Sequence, residues 1–393
     1  MIKKLKITIW SSYSFEKPYA EYHIMEDRIK ALLEAGHEVV LVQKSFQGGA
    51  KLPDSIKEKD HLYTVDIPFN QPQKQSLLKR YFFELLYYLR SSKKIKRQTE
   101  AVFIQSSFAA WIPIFLLKIR SYKSRIIYNV QDAFPYNAVY SGRMKIHSPA
   151  FKLFSSLQRY AYKHSDNIIT ISEDIKDLLV NEGAEKDKIE VIYNWSYQDK
   201  PYHFIDYTPV SHIFDFQYFN VVYAGNIGVM QNVDLLIETA KQMKKDKKYW
   251  FHIIGEGAYK SKLEKKAKEY QIENISFWPM QPAELAPMIY SAADVNIIPL
   301  AKDVYKTALP SKTATCLACG KPIIFAIGQE SKFGKRIMNE TNCLVVDPNQ
   351  PDELVQSIKS IRGDEKRDLN DAFFMKNCNI ARNCARYVQI IEG

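Results

Sequence analysis

The stretch that decides the fold runs from Val221 through Pro322 and alternates apolar strands with glycine turns and helices. VVYAGNIGVMQNVDLLIETAKQM (221–243) reads as a strand, a glycine turn and an amphipathic helix, and WFHIIGEGAYKSKLEKKA (250–267) repeats the pattern. A third strand and its turn, NIIPLAKDVYKTALPSK (296–312), lead into TATCLACGKPII (313–324). Glycine turns after parallel strands bring backbone N–H groups and helix N-termini to one edge of a sheet. The stretch therefore predicts an α/β domain that binds a phosphorylated ligand.

The same alternation of strands and helices fills the rest of the chain, which predicts a doubly wound α/β fold. At 393 residues the chain is too long for one ordinary core, so we expect two domains. The pattern lapses in the proline- and aromatic-rich stretch before residue 219, which we interpret as a linker. The predicted organisation is an N-terminal Rossmann-like domain (1–200), a linker (201–218), a C-terminal Rossmann-like domain (219–369) and a closing helix (370–393).

Sequence patterns also predict individual elements of the N-terminal domain. The predicted strands are 6–10, 38–43, 101–105, 125–131, 168–172 and 189–194, and the predicted helices are 21–35 and 173–182.

The five cysteines all fall in the last quarter of the chain: Cys316, Cys319, Cys343, Cys378 and Cys384. No leader pattern precedes them, so we expect reduced thiols and a cytoplasmic protein. The C-x-x-C pair at 316 and 319 leaves a zinc or redox site as an alternative, although no second ligand pair follows it. The longest apolar run, residues 108–119, is too short to span a bilayer.

The net charge of +11 is unevenly distributed. Residues 74–125 contain twelve Lys or Arg residues against only Glu84 and Glu100. Aromatic and aliphatic residues alternate with the basic ones in a predicted helix over 77–97, as in a helix that lies on an anionic membrane surface. An ordinary surface helix with a solvated basic face is the alternative. Nucleic-acid binding is not expected, because no recognisable nucleic-acid-binding motif accompanies the basic residues.

Several strings resemble, in order and spacing, the retaining family-4 glycosyltransferases of the GT-B fold. RIKALLEAGHEVVLV (28–42) resembles the first helix and second strand of that family, and 162–195 resembles its last N-domain unit. AADVNIIPL (292–300) followed by PSKTATCLACGKPII (310–324) resembles its donor-binding half. The similarity is greatest to the bacterial branch with a PSK motif that builds capsule and O-antigen chains, including aminosugar transferases. The resemblance implies two Rossmann-like domains that face a cleft.

The resemblance also implies where a nucleotide-sugar donor binds. The glycine turn at 225–228 would approach the phosphate or the sugar, Lys312 would add positive charge near a helix N-terminus, and Gln281 would lie near the base. Each pattern also occurs as an ordinary turn, cap or surface lysine in α/β proteins. The donor-site residues that we expect are Gly225, Asn226, Gly228, Gly255, Glu256, Gly257, Gln281, Ser311, Lys312 and Thr315.

This sequence departs from the family pattern at four positions. Asn226 and Met230 stand where the family commonly has an Arg and a Lys for the diphosphate. Thr307 and Thr315 stand where it has a pair of glutamates, the second of which holds the ribose. Lys312, or Lys306 just upstream of it, would then supply the missing positive charge.

For the acceptor we expect Asp132, in the short segment Gln131–Pro135 that follows a buried strand, to orient the attacking hydroxyl. A helix cap or a turn aspartate is the alternative. We expect no cofactor and no metal ion. The predicted activity is transfer of a sugar, such as a HexNAc or deoxy-aminosugar, from a UDP-sugar to a lipid-linked glycan, with retention, at the inner face of the plasma membrane.

Two other functions remain open on the sequence alone. A catalytically silent GT-B protein could bind a partner transferase, which the four departures favour. A nucleotide-sugar epimerase on the same fold would convert the donor without any acceptor.

Overall fold

The structure, a computed structural model, shows two units, which we describe separately. The first comprises residues 1–139, 144–193 and 381–393, and the second comprises 140–143 and 194–380. The residues that the structure describes are 3–16, 22–46, 52–69, 77–202, 206–363 and 367–393.

The first unit is built on a seven-stranded, all-parallel sheet in the order β3-β2-β1-β4-β5-β6-β7. Its strands are β1 (Lys6–Trp10), β2 (Glu38–Ser45), β3 (Leu62–Pro68), β4 (Ala101–Ile104), β5 (Arg125–Val130), β6 (Asn167–Thr170) and β7 (Ile189–Val191). Its helices are α1 (Tyr22–Glu34), α2 (Asp54–Lys57), α3 (Leu77–Ser92), α4 (Trp111–Ile119), α5 (Tyr136–Tyr140), α6 (Pro149–His164) and α7 (Glu173–Asn181).

The second unit has a six-stranded, all-parallel sheet in the order β10-β9-β8-β11-β12-β13. Its strands are β8 (Phe219–Ala224), β9 (Tyr249–Ile254), β10 (Ile275–Trp278), β11 (Val295–Pro299), β12 (Ile323–Ala326) and β13 (Leu344–Val346). Its helices are α8 (Asp234–Met243), α9 (Lys260–Glu269), α10 (Ala286–Ala292), α11 (Thr313–Ala318), α12 (Lys332–Glu340), α13 (Pro351–Ser360) and α14 (Arg367–Asn377). The last helix of the chain, α15, is Ile380–Glu392.

The strand orders confirm the expected doubly wound α/β architecture. In each sheet the order reverses direction at one place, between β1 and β4 in the first and between β8 and β11 in the second. Loops at the carboxyl ends of strands on either side of such a reversal leave a crevice where α/β proteins bind ligands. The glycine turn after β8 lies at the reversal point of the second sheet.

The expected linker at 201–218 is corrected by the structure, because most of its described residues pack within the second unit. A 3₁₀ helix at Thr208–Ile213 buries Val210 and Ile213, and the ring of Phe214 lies 5.0 Å from that of His252. The aromatic content that interrupts the periodicity supplies this packing. Residues 203–205 lie outside the described residues.

The expected single closing helix at 370–393 is also corrected, because the chain forms two helices there. α14 belongs to the second unit, and α15 belongs to the first apart from its first residue. Arg28 on α1 donates to the hydroxyl of Tyr387 on α15 at 2.8 Å, and its guanidinium lies 4.2 Å from the centre of that ring. His37 and Glu392 are 3.0 Å apart. These buried polar contacts fix the end of the chain to the first unit.

Strand β3 is absent from the sequence predictions because it lies at the edge of its sheet. Tyr63 and Thr64 are exposed, so the segment lacks the apolar run that marks a buried parallel strand.

Candidate functional site

The loop after β8 follows a buried strand and has a backbone conformation that favours glycine. Gly225 has φ = +142°, and the hydroxyl of Tyr223 donates to the carbonyl oxygen of Asn226 two residues after the strand ends. The side-chain amide of Asn226 donates to Gln231 at 3.1 Å. Gly228 is in extended conformation and precedes a 3₁₀ turn at Val229–Gln231. The strand and Tyr223 therefore hold the backbone of this loop in place.

The second glycine turn, after β9, stacks backbone against backbone on the first. A Cβ on Gly255 would collide with the carbonyl oxygen of Gly225, and one on Gly257 would collide with that of Ile227. The amide of Ile227 donates to the carbonyl of Glu256 at 2.8 Å. Sequence analysis places Gly255 and Gly257 in the expected donor site, and contact between the two loops is a further reason for glycine at both positions.

Lys312 lies against the first glycine loop. Its Nζ atom would be 2.6 Å from a Cβ on Gly225, and it lies 3.9 Å from the centre of the Tyr223 ring. Within the described chain Lys312 has no carboxylate partner and no hydrogen bond. Desolvation of the partly buried ammonium lowers its pKa to about 8. The result is a cation that lacks a counter-ion at the point where the strand order reverses.

Lys306, the alternative source of positive charge, is already paired, because its Nζ atom lies 2.7 Å from a carboxylate oxygen of Asp303. The hydroxyl of Thr307, where the family has its first glutamate, is fully buried and donates to the carbonyl of Val304 at 3.0 Å. Thr315 is buried within α11, whereas Ser311 is exposed just before that helix. Among these residues Lys312 alone presents an unbalanced charge to the loop after β8.

Strand β9 contains a buried histidine, His252, that sequence reasoning missed. His252 Nε2 lies 2.9 Å from Asn220 Oδ1, the indole of Trp278 donates to His252 Nδ1 at 3.4 Å, and burial lowers the pKa of the imidazole to about 4. The neutral histidine therefore helps to fix Trp278 at neutral pH.

Two expected donor-site side chains bond to residues close to them in the sequence. The side-chain amide of Gln281 donates to the carbonyl of Pro279 at 3.1 Å, and the carboxylate of Glu256 pairs with Lys260 at 2.8 Å.

Asp132 lies in the first unit, two residues after β5 ends. The residue as a whole is exposed, but its carboxyl group is partly desolvated by surrounding protein atoms, which raises the pKa to about 6 and leaves the group mostly ionised at neutral pH. In the described part of the chain the carboxylate makes no hydrogen bond or ion pair. The alternative of a capping aspartate therefore lacks the hydrogen bond that a cap requires. The Phe134–Pro135 peptide bond that follows is cis.

The thiols of Cys316 and Cys319 are buried in and just after α11. Burial raises the pKa of Cys319 to about 12, so this thiol is neutral at physiological pH. Across the described ranges no group of three or more His, Cys, Asp or Glu side chains is arranged to hold a metal ion.

The basic segment expected to be helical over 77–97 forms α3 over Leu77–Ser92. Tyr87 and Tyr88 are fully buried, whereas Phe82 is 56% exposed and Leu89 41% exposed. α3 packs against α4, on which Phe115 and Ile119 are also exposed. The exposed basic residues on and just after α3 are Lys79, Arg80, Arg90, Lys93, Lys94, Lys96 and Arg97, and Lys74 lies outside the described residues.

No helix in the described part of the chain is both long enough and apolar enough to cross a bilayer.

Comparison with known proteins identifies two family segments. Residues 24–195 match the family model "Glycosyltransferase Family 4", and residues 211–373 match "Glycosyl transferases group 1". Together the two segments contain every expected site residue of both units.

Two curated relatives were found at modest identity. "Probable glycosyltransferase WbjE" of Pseudomonas aeruginosa is 26% identical over 274 residues, which cover 66% of this chain and 65% of that protein. "Putative colanic acid biosynthesis glycosyl transferase WcaI" of Escherichia coli K12 is 25% identical over 213 residues, or 53% of this chain and 52% of that protein. The chain thus matches less than two thirds of the length of either relative.

Solved structures share the whole architecture at low identity. Sucrose-phosphate synthase from Thermosynechococcus elongatus superimposes with a TM-score of 0.78 at 15% identity, covering 98% of both chains. HepE of Anabaena, solved with UDP-glucose, gives a TM-score of 0.69 at 13% identity, again covering 98% of both chains. These likenesses show the GT-B fold. The chain is therefore similar to glycosyltransferases along most of its length, with a "Glycosyltransferase Family 4" segment over residues 24–195 and a "Glycosyl transferases group 1" segment over residues 211–373.

Proposed function

We propose that this protein is a retaining glycosyltransferase that moves a sugar from a UDP-sugar to a lipid-linked glycan in surface polysaccharide synthesis. The observation that carries the proposal is Lys312. A partly buried ammonium without a counter-ion is costly, and an anionic ligand beside the glycine loop would remove that cost. A nucleoside diphosphate is such a ligand.

In this proposal Lys312 and the backbone N–H groups of Asn226 and Gly228 balance the charge of the diphosphate, so no metal ion is required for that task. The N–H groups of Gly225 and Ile227 take no part, because they donate to the carbonyls of Ile254 and Glu256. Gln281 and the Trp278 segment would lie near the base, with Ser311 and Thr315 on the other side of the donor. The choice of UDP is supported by HepE, whose solved complexes contain UDP and UDP-glucose. A HexNAc or a deoxy-aminosugar is the sugar that the resemblance favours.

For the acceptor side we propose that Asp132 accepts a hydrogen bond from the attacking hydroxyl, since its carboxylate is mostly ionised and uncommitted among the described residues. The names of WbjE and WcaI, one of them assigned to colanic acid, support a glycan acceptor. The exposed apolar and basic side chains of α3 and α4 support a position on the inner face of the plasma membrane. Lipid-linked acceptors are found at that surface.

The test is an assay of UDP release and of sugar transfer to membrane lipid extract, with a panel of UDP-sugars. We expect one donor to give lipid-dependent UDP release and a labelled lipid product. Asp132→Asn should lower the rate of transfer while the affinity for UDP stays unchanged. Neither release nor transfer with any donor would contradict the proposal.

A silent GT-B protein that binds a partner transferase is the second candidate. The specific observation in its favour is that Thr307 is fully buried and bonded to its own turn, so it cannot replace the family glutamate at a ligand. UDP binding without release or transfer, together with stimulation of another transferase, would favour this candidate.

A further inference from the structure

A groove of about 440 Å³ lies on the first unit, beside α3 and at the carboxyl ends of β2 and β3. That volume is within the range of sites that hold small ligands. Five of the seven described residues that line it are apolar; the seven are Ser45, Phe46, Pro68, Phe69, Phe83, Leu86 and Arg90.

The wall of the groove is firmly supported. Phe69 is buried and packs edge-to-face on Phe83, with ring centres 5.9 Å apart. Behind it the buried ammonium of Lys44 pairs with the buried carboxylate of Glu84 and lies 5.0 Å from the centre of the Phe69 ring. Phe69 and Phe83 are therefore held in place on one side of the groove.

One end of the groove is positively charged. The exposed guanidinium of Arg90 has no hydrogen bond or ion pair with any described residue, and neither has Lys93 or Lys94 on the next turn. The nearby carboxylate of Glu16 is engaged, because it accepts hydrogen bonds from the hydroxyl of Ser45 at 2.9 Å and from the amide of Phe46 at 2.8 Å. A ligand with an apolar chain and a terminal anionic group would match a groove that is apolar along its wall and positively charged at one end.

The groove is continuous with the exposed apolar stripe of α3. Phe82, Leu86 and Leu89 are spaced by four and three residues, so their side chains are neighbours on one helix face, and Arg90 follows Leu86 by four. An apolar chain that leaves a membrane surface along this stripe would reach the groove beside Arg90.

We infer that the groove binds the apolar chain of a lipid phosphate, with the phosphate held by Arg90. This inference rests on the proposed function, in which the acceptor is lipid-linked, and it assigns the lipid part of that acceptor to these residues. The chain of the lipid packs against Phe46, Phe83 and Leu86.

The experiment measures binding of farnesyl phosphate by isothermal titration calorimetry, without vesicles and below the concentration at which the probe forms micelles. Leu86→Trp fills the groove, and Leu153→Trp, at an exposed leucine on α6 away from the groove and the stripe, is its matched control. We expect Leu86→Trp to weaken binding by about tenfold or more, since displacing two buried CH₂ groups has that effect. Leu153→Trp should bind as the wild type does.

A second pair of variants tests the phosphate contact. Arg90→Gln should weaken binding of farnesyl phosphate by about fivefold, as expected for an exposed ion pair, and leave binding of farnesol unchanged. Arg97→Gln, beyond the end of α3, is the control and should have no effect.

Three results would overturn the inference. The first is that Leu86→Trp binds farnesyl phosphate as tightly as the wild type, which would mean that the lipid does not occupy the groove. The second is inorganic phosphate binding as tightly as farnesyl phosphate. The third is a change of oligomeric state in Leu86→Trp, which would indicate a second copy of the chain as the occupant. UDP binding separates the two proposals. The groove variants should bind UDP as the wild type does, and a wild type that binds farnesyl phosphate but not UDP would contradict the donor site and leave the groove intact.

Discussion

Two lysines, one in each unit, lie beside aromatic rings near the carboxyl ends of parallel strands, and they differ in what balances their charge. Lys44 is buried against Phe69 and Tyr87 and pairs with the buried carboxylate of Glu84. Lys312 lies over Tyr223 and has no acidic partner among the described residues. A buried cation that the fold itself neutralises contributes to structure, whereas one left unbalanced is available to an anionic ligand. The comparison therefore separates a structural lysine from a binding lysine.

The largest effect is expected from Lys44→Met, which leaves the buried carboxylate of Glu84 without its partner. Breaking a buried ion pair in this way should lower the free energy of unfolding by about 3–5 kcal/mol. Urea unfolding, followed by tryptophan fluorescence, measures the loss. The double variant Lys44→Met/Glu84→Leu should recover most of it, and an unchanged urea midpoint in the single variant would mean that the pair is not structural.

The next effect concerns the loops that surround Lys312. Gly255→Ala should lower the free energy of unfolding by about 2–3 kcal/mol, because a Cβ there collides with the carbonyl of Gly225 at a positive φ. Gly36→Ala is the matched control: φ is also positive, the space is open, and the cost should be about 1 kcal/mol. Thermal unfolding compares the two. Equal costs would show that the two glycine loops do not depend on their contact.

The smallest effect is a pH dependence of UDP affinity, which should arise from the protonation of Lys312. Its pKa is lowered to about 8 in the folded protein, so above pH 8 the neutral form dominates and attraction for a diphosphate is lost. UDP is fully ionised above pH 7, so its affinity should fall by roughly tenfold between pH 7 and pH 9. Calorimetric titration at both pH values measures this change. Lys312→Met should bind UDP weakly and without the pH dependence, and an equal slope in that variant would assign the titration to another group.

The α/β architecture could be predicted from the sequence, because apolar runs mark the buried parallel strands and glycine turns mark where those strands end. It missed β3, whose exposed residues lack an apolar run, and it misread 201–218 as a linker because aromatic packing there has no regular period. For the candidate site, the sequence predicts that Gly225 and Lys312 lie together because parallel strands end at one edge, and the structure places them side by side. It could not reveal that Lys306 is paired or that Gly255 serves the loop contact, because both depend on side-chain and backbone distances.

Two residues of the second unit had sequence signals too weak to identify them from sequence alone. Tyr223 is one of the 25 tyrosines, and only the structure places its ring under the ammonium. His252 lies in an apolar strand, where a histidine is usually a core residue, and it is one here.

The measurement that tests the central claim most directly is a thermal-shift titration with UDP, GDP, ADP and TDP. It compares the wild type with Lys312→Met and with Lys306→Met, whose lysine is paired with Asp303. A ligand that binds only the native state raises Tm with the logarithm of its concentration. We predict that UDP stabilises the wild type and Lys306→Met, and that the shift is lost in Lys312→Met. A full UDP shift in Lys312→Met, or no shift of the wild type with any of the four nucleotides, would contradict the assignment of Lys312 to the donor diphosphate.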